Sequence, residues 1–80
     1  MNERLTIMQT KITNNIIEVL KSKGIASQNY VDYLVNNTDL SKNRIKKILN
    51  VNAKKRISLK ELIHIANGLS VHITVLIKDI

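Results

Sequence analysis

Between Thr10 and Gly24 the apolar residues fall at helical spacing, with Ile12, Ile16, Val19 and Leu20 on one face. Lys21 and Lys23 followed by Gly24 form a stop signal, because cations suit a helix C-terminus and glycine accepts the left-handed backbone that ends one. The first helix is therefore predicted to run from about 10–13 to 23. Ahead of it Leu5, Ile7 and Met8 fit no clean period, so residues 1–9 read either as an arm or as a helical extension. Ser27 or Asn29 can cap a second helix whose apolar face is Tyr30, Val31, Leu34 and Val35. Its pattern fades in Asn36-Asn37-Thr38-Asp39, residues that tolerate left-handed conformations and so suit a tight turn.

Ser41 is the next candidate cap. From Lys42 to about Asn50 a third helix places Ile45, Ile48 and Leu49 on one side. Ser58 with Glu61 three residues later reads as a capping box. It opens a fourth helix with an apolar face of Leu59, Leu62, Ile63 and Ala66 that ends at Asn67-Gly68. The tail has two readings. Val71, Ile73, Val75 and Ile77 alternate as in a strand, whereas Ile73, Leu76, Ile77 and Ile80 follow the i, i+3, i+4, i+7 spacing of a helix.

Composition narrows the class. Eighty residues with 44% hydrophobic content make one small globular domain. There is no proline, which suits a mostly helical chain, and no cysteine, which excludes disulfides and thiolate metal sites. His64 and His72 have no partner at ligand spacing, so no metal or cofactor is expected, and His72 falls near the start of a fifth helix. Asp32 and Asp39 are isolated acids, and no nucleophile–base pair appears, so no catalytic residue is assigned. Tyr30 and Tyr33 suit a core or a phosphate contact better than base stacking. Neither a signal peptide nor an apolar run of about 20 residues is evident, so a cytoplasmic protein with no membrane contact is expected.

The distribution of charge along the chain is strongly uneven. Of 13 basic residues, eight lie within 40–60, where there is no acid: Lys42, Arg44, Lys46, Lys47, Lys54, Lys55, Arg56 and Lys60. The remainder of the chain carries five basic and six acidic residues, so nearly all of the net +7 sits in one quarter of the sequence. Concentrated charge costs self-repulsion, and an anionic polymer is the usual reason to keep it. The helices over about 27–50 are two short helices about a turn, the second basic, as in a helix-turn-helix whose second helix enters the major groove of DNA. On a helical wheel Asn43, Lys47 and Asn50 point away from Ile45, Ile48 and Leu49, while Arg44 and Lys46 flank them. Lys42 stands at the N-terminal end. Lys and Arg can donate to guanine O6 and N7, and Asn can bond bidentately to adenine. Ser41 and the first-turn N–H groups can hold a phosphate, and Lys54, Lys55 and Arg56 suit the DNA backbone.

Two stretches carry a family resemblance. Leu34-Val35-Asn36-Asn37-Thr38-Asp39-Leu40-Ser41-Lys42-Asn43-Arg44-Ile45 resembles the "LAEKTGLSxxxI" core of Cro/phage-repressor-like (XRE-type) helix-turn-helix proteins. Ser58-Leu59-Lys60-Glu61-Leu62-Ile63-His64-Ile65-Ala66-Asn67-Gly68-Leu69-Ser70-Val71 resembles that family's "SLxxLxxIAxxLGV". His72-Ile73-Thr74-Val75-Leu76-Ile77 continues like its short fifth helix, and the likeness covers roughly residues 12–78. It implies an all-α, compact five-helix lambda-repressor-like domain and a helical tail. By position it implies base reading by Lys42, Asn43 and Lys47, and phosphate binding by Ser41, Asn52, Lys54, Lys55 and Arg56. With the wheel, Arg44 joins the base-reading set, and Lys46 and Asn50 the phosphate set. Three positions depart from the family: Asp39 replaces its turn glycine, Ile57 its proline before the fourth helix, and Val31 a phosphate-binding glutamine.

The function so implied is sequence-specific binding to double-stranded DNA by a small transcriptional repressor that blocks polymerase at an inverted-repeat operator. The tail is apolar over a wider arc than one intramolecular contact needs. A homodimer built on Val71, Ile73, Val75, Ile77 and Ile80 is therefore expected. The alternative is an antitoxin that covers a toxin protein and regulates its own operon.

Overall fold

Every one of the first helix's expected core residues is buried. Ile12, Ile16, Val19 and Leu20 form the inner stripe of α1 (Asn2–Ser22). The computed structural model describes residues 2–50 and 56–78, with side chains described from Met8 onward within those spans. Residues 2–9 are helical, so they extend α1 and do not form a separate arm. The helix stops where Gly24 takes φ +76°. Gly24 N–H donates to the Lys21 carbonyl at 2.9 Å and Ile25 N–H to the Leu20 carbonyl at 3.2 Å, a pair of bonds that satisfies the final turn.

A single 3-10 turn, Ser27–Asn29, leads into α2 (Tyr30–Asn37). Neither Ser27 nor Asn29 caps it through a side chain, contrary to the sequence expectation, because the 3-10 turn supplies the entry. The connection to α3 (Lys42–Leu49) contains no left-handed residue either. Thr38 is extended, and its hydroxyl donates to the Leu34 carbonyl at 2.6 Å and accepts from Leu40 N–H at 3.3 Å. The threonine side chain closes the turn, so no glycine is needed at Asp39.

The fourth helix, α4 (Leu59–Leu69), starts at the expected capping box, with both Ser58 and Glu61 bonds formed. Its inner face is rotated from the expected one. Leu62, Ile65, Ala66 and Leu69 are buried, whereas Leu59 is 66% and Ile63 44% exposed. Nor does α4 end at Gly68. It continues through Leu69, and Ser70 takes the left-handed cap at φ 57°. Gly68 serves close approach instead, since a Cβ there would lie 2.5 Å from the Asn37 carbonyl oxygen. α5 (Ile73–Leu76) is one turn capped by His72, with Leu76 fully buried.

The described residues thus form a compact all-α domain without strands. α3 packs on α1 and α2, α4 on α2, and α5 on α1 and α4. No described helix is long and apolar enough to cross a membrane. Three buried polar side chains of α1 bind the pieces together. Thr13 donates to the Ile48 carbonyl at 2.7 Å, and Asn15 donates to the Leu76 and Lys78 carbonyls at 3.0 and 3.1 Å. Gln9 accepts the Ile57 N–H at 2.7 Å. That last bond needs an N–H that proline lacks, a direct reason for isoleucine at position 57.

Candidate nucleic-acid interface

α3 owes its position to two fully buried isoleucines, Ile45 and Ile48. Burial of side chains this size stabilises by roughly 1.5–3 kcal/mol each. Leu49 is half-buried beside them. Ser41 caps the helix by accepting the Arg44 N–H at 3.2 Å. The carbonyl of Ile48 is taken by Thr13, which fixes the C-terminal turn to α1.

The inner anchoring leaves the opposite face outward. Lys42, Asn43, Lys46, Lys47 and Asn50 are all exposed. Lys42, Lys46 and Lys47 form no ion pair with a described acid. No acid lies in the first turn of α3, where one would suit the helix dipole, and Lys42 stands there instead. A helix tuned only for stability would reverse that choice, at a gain of some tenths of a kcal/mol. Ser41 and Arg56 are exposed at the two ends of this region. Asn52, Lys54 and Lys55, expected to hold phosphates, lie outside the described residues.

Arg44 departs from its expected base-reading place. It is half-buried, and its guanidinium turns toward α4. Nε–H donates to Glu61 Oε2, and the Nη2 group donates to Glu61 Oε1 at 2.7 Å. Nη2 also donates to the Arg56 carbonyl. The Arg44 hydrogen bonds hold the Glu61 carboxyl down at about 2, and the same contact raises the Arg44 pKa. Glu61 was legible in the sequence as a capping residue, but its second partner lies 17 residues away and no local spacing announces it.

The expected dimer residues divide. Val71, Ile73 and Val75 are half-buried against the core, Ile77 is 40% exposed, and Ile80 lies outside the described residues. The larger exposed apolar surface comes from residues that the sequence reading placed inside or left unassigned. Leu59 and Ile63 stand out on α4, and Met8 is 41% exposed on α1. Met8, Ile12, Ile57, Leu59, Leu62 and Ile77 line one shallow apolar groove.

His64 and Asp39 border an open polar cleft with Asn36, Asn37 and Asn67. Among the described residues no three His, Cys, Asp or Glu side chains gather as a metal site would need.

No protein-family model, curated protein or solved structure matches this chain. The likeness to Cro-type repressors therefore rests on the motif residues alone.

Proposed function

We propose that this chain is a lambda-repressor-like domain that binds double-stranded DNA in a sequence-specific way and acts as a small transcriptional repressor. One observation carries the reading. α3 is anchored by Ile45 and Ile48 and turns Lys42, Asn43, Lys46 and Lys47 outward, and among the described residues no acid pairs with the lysines. A short rigid helix with that face suits the major groove, which is wide enough to admit it. Lys42, Asn43 and Lys47 are the base-reading residues. Ser41, Lys46, Asn50 and Arg56 are the phosphate contacts of this reading, and Asn52, Lys54 and Lys55 are assigned to that set by sequence position.

The working species is a homodimer, because one recognition helix reads few base pairs and a two-fold pair reads half-sites about 34 Å apart. The exposed apolar residues support association, since Leu59, Ile63 and Ile77 are costly to leave in water on so small a domain. A toxin protein seated on the same residues is the second reading.

Selection of bound sequences from a random duplex pool tests the proposal. A short inverted repeat is the expected product. On it, Asn43→Ala should cost roughly 1–3 kcal/mol and relax preference at one position of each half-site. Enrichment of no sequence would reject specific binding, and enrichment unchanged by Asn43→Ala would reject α3 as the reading helix.

A further inference from the structure

Among the basic residues of α3, Arg44 has its charged head turned into the protein. Its guanidinium joins three pieces of chain. It belongs to the first turn of α3, it forks onto Glu61 in the first turn of α4, and it donates to the Arg56 carbonyl just before α4 begins. Glu61 Oε1 also accepts the Ser58 N–H at 2.9 Å, so the same carboxylate completes the capping box and receives the arginine. The neighbouring Ile57 is held from the other side by Gln9, and its side chain is buried. The far end of the basic connection is fixed as well, because Thr13 holds the Ile48 carbonyl at the end of α3. A planar fork with several donors can serve such a junction, whereas a lysine ammonium cannot match both carboxylate oxygens and a carbonyl in one plane.

We infer that Arg44 is a positioning residue that locks the re-entry of the basic connection, at Arg56, against the base of α3. In the sequence Lys54 and Lys55 immediately precede the locked carbonyl. The clamp thereby sets one anchor of the phosphate-binding run at a fixed place relative to the reading face. Arg44 itself touches neither base nor phosphate. The consequence for DNA rests on the function proposed above, but the clamp itself does not.

Three variants separate the clamp from direct binding of DNA by Arg44. Arg44→Ala should weaken binding to the selected duplex about tenfold, with the same preferred bases and the same slope of log K against log salt. An arginine bound directly to phosphate would instead make the slope shallower, on its removal, by about 0.9 for each phosphate it had neutralised. Glu61→Gln keeps a capping-box residue and removes an acid, so plain electrostatics predicts tighter binding. The clamp predicts weaker binding, in step with Arg44→Ala. Arg44→Lys keeps the charge without the fork and should also bind weakly. A shallower slope or a changed base preference in Arg44→Ala, tighter binding by Glu61→Gln, or wild-type binding by Arg44→Lys each overturns the inference.

Hydrogen exchange of the DNA-free protein gives an independent readout. The Arg44 Nε–H and the Ser58 amide should exchange slowly in the wild type, and Glu61→Gln should speed the arginine proton. Fast exchange of that proton in the wild type overturns the clamp. A wild-type protein that shows slow exchange yet binds no duplex would reject the proposed function and leave the clamp standing.

Discussion

Gly68→Ala isolates the contact that holds α4 against the turn before the candidate reading helix. In an unconstrained helix interior the change would stabilise by about 0.8–1 kcal/mol, because alanine is the better helix former. Here the new Cβ would meet the Asn37 carbonyl oxygen at 2.5 Å, the Asn37 carbonyl carbon at 3.1 Å and Thr38 Cγ2 at 2.9 Å. Two of those three atoms are backbone, so no rotamer change relieves them. The end of α2 must move away from α4, and overpacking of this kind costs about 1–3 kcal/mol. The tight contacts place the penalty at the upper end, and the net effect is a loss of about 1–2 kcal/mol. For 80 residues the unfolding entropy is about 0.17 kcal/mol per degree, so Tm should fall by about 6–12 °C. Urea and thermal unfolding followed by circular dichroism measure it. An unchanged or higher Tm would refute the close-approach argument and leave helix propensity as the only effect.

Other perturbations test separate joints. Glu61→Gln should lower stability by about 1–2 kcal/mol at neutral pH, after allowance for the solvent that still reaches the pair. The Glu61 carboxyl is depressed to about 2 in the folded protein, so its contribution is complete above the unfolded carboxylate range and lost as pH falls toward 2. The gap between wild type and variant should therefore close over that acid range, and a gap independent of pH would contradict the ion pair. Asn15→Ala removes two hydrogen bonds that hold the Leu76 and Lys78 carbonyls, and should cost about 1–3 kcal/mol. It should also speed amide exchange in α5 before the rest of the domain, and uniform acceleration would show that Asn15 does not tether α5 in particular. Leu59→Lys or Ile77→Lys should give a folded monomer by light scattering at tens of micromolar with weakened duplex binding. Retention of a dimer by both would move the association surface elsewhere.

How much could be read from the sequence depended on whether the cause was local. The Ser41 cap, the Ser58–Glu61 capping box and the Gly24 stop involve partners within one helical turn, and each is visible as a residue pattern. The inner face of α3 was equally plain, because its other residues are nearly all polar. α4 was ambiguous for the opposite reason. Leu59, Leu62, Ile63 and Ala66 satisfy helical spacing, and so do Leu62, Ile65, Ala66 and Leu69 three residues on. Packing against α2 and α5 selects the second set, and no single-helix pattern contains that information. The start of α1 was obscured by Gln9, Thr13 and Asn15, polar residues that are buried because each bonds a distant backbone group. Gly68 read as a helix end because its real neighbour is the Asn37 carbonyl on another helix. Arg44 read as a base contact for the same reason, since its wheel position says nothing of Glu61.

Binding of duplex DNA by α3 and the residues after it should depend steeply on salt. If each subunit of a dimer meets about five phosphates, the pair displaces counterions from about ten, and log K should fall against log salt with a slope of about −9. Fluorescence anisotropy of a labelled duplex carrying the selected site, from about 50 to about 300 mM salt, gives the slope. A steep slope near that value is the predicted result. A slope near zero, or no measurable binding at the lowest salt, would contradict the assignment of α3 and its basic connection to nucleic acid.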